Sequence, residues 1–366
     1  MKRGAILYDF LFCQGGAERV TLELVHGLRG ADLCVDFFNR EAFQNDTLQG
    51  VHCIELGGSE GFHIPGWRTL KGLYNFRCKT GFLDDYDWVI YSGSNAPIAV
   101  MNHAEGRNIF YCHTIPRFVY DLKEYYLGSV PFWQRLLLKG LIPYVQRRFE
   151  AAMARMDVII ANSENVRGRI RQYLGYDAQV VYPPCDVESY KWREQGDYYL
   201  STARLEPYKR IDLIVKAFKE LPDKRLVVSS GGSDLNRLRK LAGDVDNISF
   251  VGWQDDQQLK DLVGRAIATV YVPRDEDFGM SPVESMAAGK PVIGIAEGGL
   301  LETVVDGETG LLLSPEPTPD KIVEAVRALT PELALGMRQS CEQRATLFSR
   351  ERFLRDMQAV IDNKPS

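Results

Sequence analysis

Short runs of β-branched, aromatic and aliphatic residues alternate along the chain with stretches whose apolar positions recur at helical spacing. Runs at 5–8, 33–38, 88–91, 108–112, 158–161 and 180–182 predict a first series of strands. Runs at 198–202, 225–229, 248–251, 268–272 and 291–295 predict a second. Several are apolar at every position, as parallel strands buried between two helix layers should be. The alternation predicts α/β domains with parallel, doubly wound sheets. The last segment carries Phe353, Leu354, Met357, Val360 and Ile361 on one helical stripe, so a helix there needs a surface to cover.

Between the two series stands Pro183-Pro184-Cys185-Asp186. Two prolines remove two donors and fix two φ angles, which suits a stiff connection. The boundary is therefore expected near residue 185, with one domain over 1–185 and another over 186–348. A chain of 366 residues fits two domains of ordinary size.

Composition narrows the function classes. Hydrophobic residues make up 45% and charged residues 25%, ordinary for a globular protein. Forty-four Lys and Arg against 49 Asp and Glu give a net charge of −5, which argues against a nucleic-acid partner. The cysteines at 13, 34, 53, 78, 112, 185 and 341 are odd in number and form no C-x-x-C pair. Neither a disulfide framework nor a zinc ribbon is expected, and reduced thiols in a cytoplasmic protein is the simpler reading. No continuous apolar run reaches the roughly 18 residues of a membrane span. Met1-Lys2-Arg3 could open a leader, but Asp9 interrupts the apolar run behind it, so this segment reads as a first strand.

The densest chemistry lies after the strand at 268–272, in Arg274-Asp275-Glu276-Asp277-Phe278-Gly279-Met280-Ser281-Pro282-Val283-Glu284. Ser281 suits an N-cap, Pro282 the first helical position and Glu284 the third. Gly279 and Met280 then precede a helix N-terminus, where free N–H groups and the dipole favour a phosphate. Glu276 would stand at the lip of the same crevice. Ser281-x-x-Glu284 is also a capping box, in which Glu284 would fold back on its own helix. Both readings of Glu284 are open on spacing alone.

After the strand at 198–202, Arg204-Leu205-Glu206-Pro207-Tyr208-Lys209-Arg210 leads into a helix from Ile211. Cations at a helix N-terminus are disfavoured unless an anion binds between them. The alternative is a surface helix whose Glu206 and Asp212 already balance the charge. Gln14-Gly15-Gly16-Ala17-Glu18-Arg19 forms a glycine-rich first βα turn without the dinucleotide or P-loop spacing. His113 ends the strand at 108–112, a position that suits an active-site group as well as a structural one. Asp244-Val245-Asp246 reads as a solvated turn, not a metal motif.

Taken in order, these segments resemble the retaining glycosyltransferases of family 4, with the GT-B fold. Glu276 and Glu284 match that family's E-x7-E signature. Gly15-Gly16-Ala17-Glu18-Arg19, the Arg204 and Lys209 pair, Phe250-Val251-Gly252-Trp253, and Gly298-Gly299-Leu300-Leu301-Glu302-Thr303-Val304 before Asp306-Gly307-Glu308-Thr309-Gly310 match in the expected order. The resemblance implies two Rossmann-like domains facing across a cleft, the final helix at about 349–366 returning to the first. It implies a nucleotide-sugar donor as substrate, no metal and no cofactor. Glu276 would hold hydroxyls of the transferred sugar, and the backbone of Phe278, Gly279 and Met280 would meet sugar and diphosphate. Glu284 would accept from the ribose hydroxyls, Arg204 and Lys209 would clamp the diphosphate, and His113 would face the sugar. Gly15 and Gly16 would line the phosphates and acceptor, and the peptide near Trp253 the base.

The run from Tyr111 to Arg117, with Tyr182-Pro183-Pro184, is similar to mannosyltransferases of bacterial polysaccharide and O-antigen synthesis, although Ile115 stands where their pattern has proline. This implies GDP-mannose as donor and a glycan or lipid-linked acceptor. UDP- or ADP-sugar transferases, a GT-B epimerase or phosphorylase, and a two-domain sugar-binding protein are the rival readings. Residues 61–83 hold Arg68, Lys71, Arg77 and Lys79 among Trp67, Tyr74 and Phe76 with no acid, and Phe132-Trp133-Gln134-Arg135-Leu136-Leu137-Leu138-Lys139 adds a similar group. Such stretches suit either contact with the cytoplasmic membrane face or helices packed on the domain with snorkelling cations.

Overall fold

The computed structural model describes residues 3–12, 15–43, 46–58 and 66–362. Cys13 and Gln14 of the glycine-rich turn, residues 61–65 of the basic segment and the last four residues of the expected final helix lie outside them. The chain divides into two compact units, one running to Tyr182 and resuming at Phe353, the other Pro183–Arg352.

In the first unit the elements are β1 (Gly4–Leu11), α1 (Gly16–Gly27), β2 (Ala31–Phe38), β3 (Cys53–Glu55), α2 (Trp67–Cys78), β4 (Trp88–Ser92), β5 (Arg107–Cys112), α3 (Lys123–Gly128), α4 (Phe132–Met153), β6 (Val158–Ala161), α5 (Glu164–Leu174) and β7 (Gln179–Val180). All strands pair in parallel, in the order β3-β2-β1-β4-β5-β6-β7. The edge strand β3 has only three residues and is half exposed, too short and too wet to stand out as a strand in the sequence pattern.

Alternation along the strands explains the uninterrupted apolar runs. Ala5, Leu7, Val89, Tyr91, Phe110 and Ile159 join one buried cluster, while Ile6, Tyr8, Ile90, Ile109, Tyr111 and Ile160 join another. Successive side chains point to opposite faces, so both faces of this sheet are covered.

The second unit contains β8 (Tyr198–Ser201), α6 (Ile211–Lys219), β9 (Arg225–Val228), α7 (Leu235–Ala242), β10 (Ile248–Phe250), α8 (Asp256–Arg265), β11 (Thr269–Val270), α9 (Met280–Ala287), β12 (Val292–Ile295), α10 (Leu300–Thr303), β13 (Gly310–Leu313), α11 (Pro319–Ala328), α12 (Pro331–Gly336) and α13 (Arg338–Ala345). Its strands are also parallel, ordered β10-β9-β8-β11-β12-β13. β13 was not expected from the sequence pattern; at this edge, a Cβ on Gly310 would overlap the Val292 backbone, so only glycine permits the pairing.

The final helix, α14 (Arg350–Asp362), begins in the second unit and enters the first. Its Phe353, Met357, Val360 and Ile361 are buried in the cluster that α1 also covers, with the Phe353 ring 5.8 Å from Tyr111. Each such buried side chain contributes roughly 1.5–3 kcal/mol relative to exposure. This is the surface that the terminal apolar stripe required.

Both sheets reverse their strand order once. In the second unit the reversal lies between β8 and β11, in the first between β1 and β4. Loops leaving the carboxyl ends of strands at such a reversal form the usual ligand crevice.

Candidate active site

The loops after β8 and β11 meet at this reversal in the second unit. Leaving β8, the chain passes Arg204 and makes one tight turn, Pro207–Lys209, before Arg210 opens α6 in the left-handed region (φ 54°). Leaving β11, it passes Tyr271 and reaches Asp275, also left-handed (φ 50°), then Glu276. The second loop is held from two sides. Arg274 N donates to Tyr208 O at 2.9 Å, and Asp275 N donates to the Glu297 carboxylate at 2.7 Å.

Lys209 and Glu276 are brought together. The Lys209 ammonium donates to Glu276 Oε2 at 2.6 Å and to the Tyr271 hydroxyl at 3.1 Å. Its nitrogen also lies 5.3 Å from the Tyr208 ring centroid and 5.4 Å from that of Tyr271. The residue is only 9% exposed. Burial alone would lower its pKa, but Tyr271 and Glu276 more than offset this and raise it, so the ammonium stays charged. Glu206 and Asp212 do not by themselves balance this helix start: Lys209 is paired with Glu276, while Asp212 still acts on Arg210. Glu206 accepts from Ser233 N and Oγ, and Asp212 faces Lys216 and Arg237. Arg204 remains exposed beside the pair, donating to the Tyr208 hydroxyl at 3.4 Å.

The helix that follows differs from the capping-box reading. Its N-cap is Gly279 (φ 90°, ψ 71°), not Ser281, and no side chain caps it. Ser281 lies inside the first turn, and Glu284 lies a turn further, 8% exposed. The left-handed Gly279 advances the helix start by two residues, which a side chain at that position would resist. The first turn of α9 holds no acid, so its dipole is open to an external anion. Phe278 is 3% exposed, its ring edge-on to Phe348 at 5.3 Å. It anchors the loop through its side chain while its backbone passes the helix start. Gly299 N donates to Glu276 O at 2.9 Å, and a Cβ on Gly299 would stand 2.6 Å from Phe278 O. The Gly298-Gly299 segment therefore supports the Glu276 loop from beneath.

Trp253, 70% exposed, stands in the loop after β10. A Cβ on Gly231 would overlap its indole, so the ring rests on the backbone of the loop after β9. Asp244 and Asp246 are exposed in the turn before β10.

The remaining candidates belong to the first unit. Gly15 caps α1, and Gly16 is its exposed first residue. His113 follows β5, edge-on to Tyr111 at 5.1 Å and Tyr8 at 6.3 Å. Its Nε2 is buried without a hydrogen-bond partner among the described residues. Burial lowers its pKa to about 4, so the ring is neutral at pH 7.

The sequence patterns missed Tyr208, Tyr271 and Glu297. The available signal for Tyr271 was a phenol inside an otherwise aliphatic strand run, which needs a partner when buried.

A site of this form, with two cations, an uncapped helix start and a carboxylate, can hold an anionic leaving group beside a polyhydroxylated one. The family described as Glycosyl transferases group 1 matches residues 184–347, and Glycosyltransferase Family 4 matches residues 14–189. The chain is 33% identical to an alpha-1,3/1,6-mannosyltransferase ALG2 of Dictyostelium discoideum, over 82% of this chain and 84% of the relative. It is 29% identical to the ALG2 of Kluyveromyces lactis, over 80% and 69%. Its fold matches Anabaena HepE, solved with UDP and glucose, with a TM-score of 0.74, 15% identity and full coverage of both chains. Two parallel-sheet units, the site at the second sheet's reversal and these matches together place the chain in the family 4, group 1 glycosyltransferases of GT-B fold.

Proposed function

We propose that this glycosyltransferase moves mannose from GDP-mannose to a glycan or lipid-linked acceptor in the synthesis of cell-surface polysaccharide, with retention and without a metal. The observation that carries the reading is the Lys209–Glu276 pair beside Arg204 and the uncapped start of α9. Arg204 and Lys209 bind the diphosphate, and the helix start shares its charge as the sugar–oxygen bond breaks. Fixed donors of this kind are worth most where charge develops, so they can replace a metal ion. Glu276 accepts from the sugar hydroxyls and Glu284 from the ribose. Trp253 and its neighbouring peptide lie by the base, while His113, Gly15 and Gly16 serve the sugar and acceptor. Same-face attack by the acceptor hydroxyl gives retention. Relatives named as mannosyltransferases favour mannose over the other hexoses.

A lipid-linked acceptor agrees with one surface of the first unit. Trp67, Leu70 and Tyr74 are exposed along α2, and Phe132, Trp133, Leu136, Leu137 and Tyr144 along α4. A Cβ on Gly66 would reach Leu138 and overlap Leu141, so the start of α2 lies against α4. Arg68, Lys71, Arg135 and Lys139 lie on the same two helices, and α4 carries no acid before Glu150. An apolar stripe among cations suits an anionic cytoplasmic leaflet. No helix of the described residues is long and apolar enough to cross a membrane.

A thermal-shift panel of GDP-, UDP- and ADP-sugars tests the donor, because the ligand that binds the native state raises Tm. Product analysis should then show an α-mannoside and free GDP, with turnover unchanged by EDTA. A shift with UDP- or ADP-sugars alone would replace the donor, and an epimerised donor without transfer would replace the reaction. Vesicles with anionic lipid should bind the chain at low salt and release it at high salt; no binding would remove the membrane contact.

A further inference from the structure

Glu297 has no assigned role, yet it holds the loop that bears Glu276. It stands two residues beyond β12, half-buried, in Ala296-Glu297-Gly298-Gly299. The Ala296 N–H donates to Leu313 O at 2.7 Å, so the chain is fixed to the neighbouring strand immediately before Glu297. From this anchored segment two groups reach the Glu276 loop. Glu297 Oε1 accepts from Asp275 N at 2.7 Å, and Gly299 N donates to Glu276 O at 2.9 Å. The dipeptide Asp275-Glu276 is thus bracketed at its first N–H and its last carbonyl.

The bracket closes on a backbone conformation that a side chain resists. Asp275 has φ 50°, and Arg210 is the only other non-glycine residue at positive φ among the described residues. Such a conformation is sparsely populated and persists where its surroundings hold it. A bond from an N–H to an ionised acceptor is among the stronger tethers available. Without it, Asp275 can return to negative φ. That turns the chain about its Cα and carries the Glu276 carboxylate away from its place 2.6 Å from Lys209.

We propose that Glu297 is a positioning residue for transfer, whose carboxylate holds Asp275 in the left-handed region and so sets Glu276 where the transferred sugar meets it. This rests on the nucleotide-sugar reading of the site. The diphosphate contacts have separate supports: Arg204 and Lys209 come from the loop after β8, and the start of α9 is anchored by the Phe278 ring against Phe348. Glu297 also has an electrostatic neighbour. Burial lowers the Arg210 pKa and Arg274 adds to this, while Glu297 opposes them. That effect needs only the charge of Glu297, whereas the tether needs its acceptor oxygen.

The test compares Glu297→Leu with Glu297→Gln in the full chain. Leu removes the acceptor, and Gln keeps an acceptor oxygen at the same reach without the charge. Transfer from the donor, nucleoside diphosphate affinity, Tm and hydrogen exchange at the Asp275 amide are measured in each. Glu297→Leu should lose about 10- to 100-fold in kcat/KM for the donor, the rate equivalent of one hydrogen bond to a charged group, with faster exchange at Asp275. Nucleoside diphosphate affinity should change less than about threefold, because that ligand engages Lys209 rather than Glu276. Glu297→Gln should keep most of the rate. In a Glu276→Ala background, Glu297→Leu should cost less than about threefold, since no carboxylate is left to place. A general loss of folding would appear in both backgrounds and in Tm. Wild-type transfer in Glu297→Leu, equal losses in Leu and Gln, or the same loss in the Glu276→Ala background overturns the inference. A wild-type chain that transfers from no nucleotide sugar overturns the functional reading and this inference with it, and shows in the wild-type arm before any variant is compared.

Discussion

Replacing Lys209 by Met removes the charge that lies near the Tyr208 and Tyr271 rings while keeping a long unbranched apolar side chain. The side chains of Lys209 and Glu276 are 10% and 18% exposed, so water replaces little of the lost interaction. Breaking one side of a buried pair costs about 3–5 kcal/mol, because the other charge is left uncompensated. For a unit of this size 1 kcal/mol shifts Tm by about 2–4 °C, so a fall of about 6–20 °C is expected by calorimetry. Lys209→Met/Glu276→Gln should recover most of this, since it removes the stranded charge. Transfer should not recover: loss of one charged contact to a diphosphate corresponds to about 10- to 150-fold in rate. A single variant melting within about 1 °C of wild type, with no recovery in the double variant, would refute this account of the pair.

His113 carries a pH prediction. Burial holds its folded-state pKa at about 4, below the usual 6.5, so the unfolded chain binds the proton first. The stability that the neutral ring contributes is complete above pH 6.5 and is lost as pH falls towards 4, up to about 3 kcal/mol. Urea melts of wild type and His113→Leu should therefore converge or cross between pH 7 and 4; parallel curves would show that the ring is not held neutral. Gly299→Ala sets a Cβ against the Phe278 backbone, which cannot yield as a side-chain end can. It should cost about 1–3 kcal/mol and slow transfer by displacing the Glu276 loop, seen as a lowered Tm together with a lowered kcat; wild-type behaviour would mean that the loop does not depend on this support.

Much of the fold could be read from the chain because the forces that made it legible are local or periodic. A strand buried on both faces is apolar at nearly every position, as at Ile6 and Leu7 or Ile159 and Ile160, and eleven predominantly apolar runs marked most of both sheets. The edges escaped for the complementary reason. β3 is short and half wet, and β13 owes its place to Gly310 and to its neighbour's backbone rather than to an alternating pattern. The site divided along similar lines. Residue types and spacings singled out Arg204, Lys209, Glu276 and Glu284, each legible by itself as a chemical group. Their mutual relations were not, and the capping box showed the limit. Ser281-x-x-Glu284 has the right spacing, yet a left-handed Gly279 starts the helix earlier, and φ at one glycine leaves no mark in residue type.

By itself, then, the sequence determined two parallel α/β sheets, the loops that bear the chemistry and an amphipathic last helix in need of a surface. Tertiary structure alone decided what each of these meets. It paired Lys209 with Glu276 across 67 positions of chain, set the Tyr271 hydroxyl against Lys209, and laid Phe353 and Met357 on the first unit's core. The reason is physical: propensity and burial act residue by residue and leave a periodic trace. Partner choice depends on which strand ends the crossovers bring together at the sheet's reversal, a distance in space that sequence separation does not encode.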